Sequence, residues 1–505
     1  MSQSLFDPLS ATASDLQQLL KEGTVTSVQI VEEYRKHIEK YNEKIRAIVF
    51  IPPNLSEIAQ TLDDERKSGK LRGPLHGIPI IVKDAFNTKS SLGMPTTVGS
   101  FALTNTKISK NAAIIDGLLE QGLIVLGKAN LTEFCGFKGT GGWSAVGGMC
   151  QSPYIPGGFK PGEKRRGETA PGGSSTGSAM GVAAGFSPIS LGTETSGSLT
   201  SPASRAALYA LKLTPGAVSM EGVWQVAASF DTAGGMAKSP LDLAVLSDIL
   251  LQQTNPDRPS LVEAIQNGSD GISVGFVDIE LWRLPPEARG DVPGYNEQSA
   301  NDYKRVIDLV RDSGARVVHP VFITPPEDWL VEGGTNVDDL MDDIMRSQAR
   351  AGCEYYLSTL EDCNMKTMSD IIEFNKANAE KEFDDVFCPN QNGLLKAQEM
   401  SMSAEETQKN LNICKDWAAT EGVDKVINQH KVDVIVAPAD SFFAGVGVGA
   451  RYPLASIPFS YVESSGRPYG LHVIARANEE DKIIRFMSLW ENVIGPRRLP
   501  DLDAI

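Results

Sequence analysis

The stretch Gly77-Ile78-Pro79-Ile80-Ile81-Val82-Lys83-Asp84 is a short apolar run closed by two charges. A half-exposed strand would alternate polar and apolar residues, so this run reads as a strand buried on both faces, with chemistry placed at its charged end. Working outward, residues 111–122 read as a helix and Leu123-Ile124-Val125-Leu126 as a second buried strand closing on Gly127-Lys128. Strands alternating with helices make α/β layers. The pattern renews itself further on, with a strand at 272–277, a helix at 301–311, a strand at 315–321 and a buried strand at Val432-Asp433-Val434-Ile435-Val436-Ala437.

Ahead of this core, Ser14 and Gln17 form a capping-box pattern before Leu16, Leu19 and Leu20, and Gly23 offers a stop. A second helix starts near Thr26 to Gln29 and carries an apolar stripe of Ile30, Val31, Tyr34, Ile38 and Tyr41. Together they form a helical preface over residues 1–50, in which His37 sits beside the stripe and receives no role. Residues 137–197 are dominated by Gly, Ser, Thr and Ala, yet the Ala-rich 178–185 and the strand-like Pro188-Ile189-Ser190-Leu191 mark ordered structure around a site. Residues 324–431 are richer in charge and carry helical periodicity. With no repeat and no linker long enough to divide it, the chain reads as one domain, 1–505, with a helical elaboration in the middle.

Composition narrows the function. The 505 residues are 41% hydrophobic and 22% charged, ordinary for a globular protein with a large core. The net charge is −17 without a basic block, which disfavours nucleic acid as a partner. Cys135, Cys150, Cys353, Cys363, Cys388 and Cys414 lie far apart with no C-x-x-C pair, so neither a metal site nor another cofactor is expected. No apolar run approaches the roughly 20 residues of a membrane span, and no signal segment is seen, so the expected location is the cytoplasm.

Amide hydrolysis needs a nucleophile, a base, an acid for the leaving amine and donors for the oxyanion. Three segments supply these: Gly73-Pro74-Leu75-His76-Gly77-Ile78-Pro79 leading to Lys83-Asp84, Pro171-Gly172-Gly173-Ser174-Ser175-Thr176-Gly177-Ser178-Ala179, and Gly192-Thr193-Glu194-Thr195-Ser196-Gly197-Ser198. In these segments and in the spacing of Ser174 and Ser198 the chain resembles the amidase signature family, firmly over residues 70–245 and more loosely through Tyr469-Gly470-Leu471. The resemblance implies an α/β/α sandwich around a large mixed β-sheet and an amidase that uses a seryl acyl-enzyme. It implies Ser198 as nucleophile, Ser174 as a bridging serine after a cis peptide bond, and Lys83 as the base. It also implies an oxyanion hole from the backbone N–H groups of Thr195, Ser196, Gly197 and Ser198, each donor worth about 3 kcal/mol. An ammonium cannot take a proton, so Lys83 must be neutral, and burial at a strand end favours that form. Pairing with the adjacent Asp84 would do the opposite.

The chain departs from the family pattern in carrying Glu194 where many members have Asp, Ser196 where they have Gly, and Thr200 where they have Arg. These changes bear on the substrate, a small-molecule amide, and point away from tRNA-dependent amidotransferases. The stretch 156–169, with Lys160, Lys164, Arg165 and Arg166, reads as a solvated excursion or a gate over the pocket. Three rival readings exist. Gly173-Ser174-Ser175-Thr176-Gly177 fits the nucleophile elbow of an α/β-hydrolase esterase, with Ser175 as nucleophile and His319, His430 or His472 as its histidine. A P-loop fails because Ser178 stands where Lys is required. A catalytically silent protein or a component of an amidotransferase assembly would not need all three catalytic residue types.

Overall fold

The computed structural model describes residues 5–164, 166–331 and 334–505. Apolar runs form strands such as Pro79–Lys83 and Val434–Pro438, buried because both faces of the sheet are covered. The strands are β1 (Ile48–Phe50), β2 (Pro79–Lys83), β3 (Ile124–Ala129), β4 (Trp143–Ser144), β5 (Gly148–Met149), β6 (Ile189–Glu194), β7 (Tyr209–Lys212), β8 (Thr232–Ala237), β9 (Ser273–Val277), β10 (Arg316–Val321), β11 (Val434–Pro438), β12 (Leu454–Tyr461) and β13 (Pro468–Ile474). Eleven of them make one sheet in the order β1-β3-β2-β6-β8-β7-β12-β13-β11-β9-β10, while β4 and β5 form a separate ribbon. The sheet is mixed: β2 runs parallel to β3 and β6, whereas β8 is antiparallel to β6 and β7. This is the large mixed sheet the motifs imply.

The first seven helices are α1 (Ala13–Glu22), α2 (Ser27–Ile45), α3 (Leu55–Lys67), α4 (Ala113–Glu120), α5 (Thr176–Ala183), α6 (Thr200–Ser204) and α7 (Pro240–Gln252). Adjacent glycines of β8 reveal the two layers. A side chain at Gly235 would run into Leu243 and Leu246 of α7, while one at Gly192, paired with Gly234, would meet Ser175 and Leu199 beside α5 and α6. Helices therefore cover opposite faces of one sheet.

The preface is helical, with one correction. The capping box of α1 is Thr12 with Asp15, not Ser14 with Gln17, because Ser14 instead donates its N–H and hydroxyl to Asp242 of α7. For α2 the box is Thr26 with Gln29, as the spacing predicts. His37 is half-buried and its Nε2 meets the carbonyl of Ala184. The segment 324–431 is helical, built on Val337–Ser358, Met368–Ala377, Asn392–Glu399 and Ala404–Lys415. Part of it packs over the carboxyl ends of β2 and β3. Tyr356, Leu357 and Ile371 share a core cluster with Ala85, Phe134 and Trp224, and Tyr356 donates to Asn87 Oδ1 at 2.6 Å.

Among the described residues no helix is long and apolar enough to cross a membrane. Of the stretch 156–169, Lys160 and Lys164 are exposed as a solvated excursion requires, and Arg165 lies outside the described residues. Arg166 differs: it turns inward and donates to the carbonyl of Ser441 at 2.6 Å. Behind it the buried Arg205 guanidinium holds the carbonyls of Arg166, Gly167 and Ala170.

Candidate active site

Lys83 ends β2 with no exposed surface. Its Nζ donates to Ser174 Oγ at 2.8 Å and to Thr193 Oγ1 at 2.8 Å. Among the described residues no carboxylate lies within ion-pair distance of it. Burial holds its pKa below the ordinary lysine value, partly offset by the nearby Cys135 thiol and by the more distant Asp231 and Glu194. Alternation along the strand sends the neighbouring Asp84 elsewhere. Its carboxylate accepts from Thr97 N and Oγ1 and lies 3.5 Å from Lys128 Nζ.

The Gly173–Ser174 peptide is cis. Glycine is required at 173 because a Cβ there would sit 2.4 Å from Thr132 Oγ1. Thr132 N donates to the carbonyl of Ser174 at 3.0 Å, and Ser175 N donates to the carbonyl of Ser198 at 2.8 Å, which ties the two serine loops together. Ser198 is half-buried beside Gly172 and Gly173 on the wall of a common cleft. Its hydroxyl makes no hydrogen bond among the described residues, so the structure brings Lys83 and Ser174 into contact and leaves Ser198 next to them. Thr195, Ser196, Gly197 and Ser198 all border the cleft. The turn needs glycine at 197, where φ is +76°.

Two supports of this loop carry no assigned role in the motif reading. Asp231 accepts from Thr195 Oγ1 and from the amides of Val226 and Ala227, and burial raises its pKa to about 6. Thr193 is the second acceptor for Lys83. It stands inside the quoted motif, but only the packing of β6 beside β2 reveals what it faces. Two of the three departures from the family pattern, Glu194 and Thr200, also find an explanation. Glu194 Oε2 accepts from the amides of Leu199 and Thr200 and from Thr200 Oγ1, so the longer carboxylate and the hydroxyl close on each other at the start of α6.

Ser175 does not fit the esterase reading. It is fully buried, and its hydroxyl donates to the carbonyl of Thr193 at 3.0 Å. The candidate histidines do not serve it either, since His319 lies on the edge strand β10 and His472 has no hydrogen-bond partner among the described residues.

The cleft encloses about 380 Å³. Its lining includes Cys135, Phe137 and the glycine loop, together with Arg166, Lys396 and the ion pair of Asp342 with Arg346. The loop 195–198 thus borders a polar cleft, with the Lys83–Ser174 contact buried behind Gly172 and Gly173 at the carboxyl ends of β2 and β6.

Comparison with known proteins agrees with this geometry. The sequence model of the amidase family matches residues 29–484. The chain is 29% identical to a probable amidase of Arabidopsis thaliana, covering 99% of this chain and 93% of that protein. It is 32% identical to a glutamyl-tRNA(Gln) amidotransferase component from Streptomyces coelicolor, over 62% of this chain and 59% of that one. The solved peptide amidase of Stenotrophomonas maltophilia superimposes with a TM-score of 0.84 at 27% identity, covering 98% of this chain and 99% of that one. By its motifs, its sheet and a family match that runs through nearly the whole chain, this protein belongs to the amidase family, and its chemistry is amide hydrolysis.

Proposed function

We propose that the chain, working as one catalytic domain, hydrolyses linear carboxylic amides to carboxylate and ammonia or amine through an acyl-enzyme on Ser198. The observation that carries this reading is the 2.8 Å contact of the buried Lys83 with Ser174, with no paired carboxylate among the described residues and with the Ser174–Ser175 loop bonded to the carbonyl of Ser198. In the neutral amine the contact runs in reverse: Ser174 donates to Nζ and accepts the proton of Ser198 as Ser198 Oγ attacks the amide carbon. Catalytic hydrogen bonds often close only in the substrate complex, and the Ser198 hydroxyl turns toward Ser174 there. The amides of Thr195, Ser196, Gly197 and Ser198 receive the oxyanion. The proton then returns through Ser174 to the leaving nitrogen, and water releases the acyl group by the same relay.

All proton transfers are completed by side chains, so the reading needs no cofactor. The Stenotrophomonas protein is a peptide amidase, and a polar cleft suits a small amide carrying further polar groups. The chain matches the amidotransferase component over less of its length than it matches the plant amidase, which favours a free-standing enzyme over a tRNA-dependent partner. Six free cysteines support a reducing, cytoplasmic setting.

Treatment with a fluorophosphonate should add one phosphonyl mass to the protein, mapped to Ser198 by peptide mass spectrometry. Labelling that persists in Ser198→Ala, or that maps to Ser175, defeats the assignment.

A further inference from the structure

The lining of the cleft includes a polar residue, His472, that the hydrolytic relay does not use. His472 of β13 borders the cleft, is 1% exposed, and among the described residues neither ring nitrogen has a hydrogen-bond partner. Ser456 of β12 stands directly opposite it across the antiparallel ladder, is fully buried, and its hydroxyl is likewise without a partner among those residues. Three buried polar atoms thus lie side by side on the sheet face where α6 packs, since a side chain at Gly470, two residues before His472, would touch Ser204 of that helix. Buried polar groups in folded proteins are almost always paired, so an unpaired cluster beside a cleft points to a partner that comes from the cleft.

The charged neighbours are already engaged. Arg166 donates to the carbonyl of Ser441 and stacks on Phe442, and Asp440 is held at 2.9 Å by both Arg205 and Arg467. Burial, with Arg166 nearby, lowers the His472 pKa to about 3, so the imidazole is neutral whenever Lys83 can act as a base. A neutral imidazole offers one donor and one acceptor. A peptide group offers the matching acceptor and donor.

We propose that His472, backed by Ser456, is a specificity-determining residue that hydrogen-bonds a second, uncharged amide group of the substrate. This rests on the hydrolytic reading above and deepens it: the preferred substrates are amides that carry a peptide group besides the scissile bond, rather than simple alkyl or aryl amides. Discrimination follows because an alkyl chain in that position leaves the imidazole unpaired.

The test compares N-acetylleucinamide with the isostere in which its acetamido peptide group is replaced by two methylenes. The wild-type protein should favour the first in kcat/KM. His472→Phe should reduce that preference about tenfold, with the isostere changed less than about twofold, and His472→Gln should restore part of it. An unchanged preference, or equal losses on both substrates, overturns the proposal. If the wild-type protein turns over neither amide, the hydrolytic reading fails, and calorimetry in the Ser198→Ala background decides the inference alone. Binding of N-acetylleucinamide weakened about tenfold by adding His472→Phe supports it, and unchanged binding or no binding overturns it.

Discussion

Lys83 and Lys138 are both buried lysines near the same cleft, and their surroundings drive them in opposite directions. Lys138 Nζ lies 2.7 Å from Glu133 and 2.6 Å from Glu382, and those carboxylates raise its pKa despite burial. Lys83 touches two hydroxyls instead, and burial lowers its pKa. Lys128, on the strand beside Lys83, donates to the Phe86 carbonyl and Thr96 and has Asp84 at 3.5 Å, yet burial still lowers its pKa to about 8. Burial alone therefore does not mark a catalytic base, since Lys128 faces away from the cleft. What sets Lys83 apart is the joint condition of a desolvated amine, two hydroxyl partners and, among the described residues, no paired carboxylate, the setting the proposed relay requires.

The comparison breaks most sharply at Lys83 itself. Lys83→Ala should lower kcat/KM on an amide by about a thousandfold or more, and less on an activated ester, whose leaving group departs without a proton. Lys83→Arg should be equally inactive, because guanidinium does not give up its proton. Matched amide and ester assays check this, and equal losses on both would make Lys83 an electrostatic or structural residue. Lys138→Met should act on stability instead. Leaving Glu133 and Glu382 without their cation costs about 3–5 kcal/mol in urea unfolding, while turnover per folded molecule stays near wild type. A variant as stable as the parent would show that the cluster is not an ion pair.

Thr193→Val gives a smaller and more diagnostic effect. It keeps the volume but removes an acceptor that favours the ammonium form, so activity should fall about tenfold through loss of the bond that aims the amine. In the proposed relay the neutral amine is the active form, so kcat/KM should rise as pH rises through the lowered Lys83 pKa. Removing Thr193 Oγ1 should move that rise to lower pH. A shift to higher pH would mean that Thr193 stabilises the neutral form.

The strands β2, β3 and β11 were legible because their apolar runs are unbroken, whereas the buried β7 and β8, short or broken by paired glycines, were not; the box at Thr26 and Gln29 was legible because both partners sit in one turn. The box at Ser14 failed for a long-range reason, Asp242 on α7 taking that hydroxyl. At the site, the motifs named Lys83, Ser174 and Ser198, and adjacency made Asp84 a plausible partner for Lys83 until strand alternation separated them. The pairing of His472 with Ser456 depends on the register of two strands, which no local pattern reports. The same holds for Asp231, whose partner Thr195 is thirty-six residues away.

The closure of Glu194 on Thr200 has a consequence for how such chains are compared. In this chain the two positions form a single hydrogen-bonded unit, so scoring each against a family pattern counts one contact as two mismatches. Glu194→Asp or Thr200→Arg made alone would create a hybrid that belongs to neither version of the loop, and only the exchange of both positions together asks a meaningful evolutionary question.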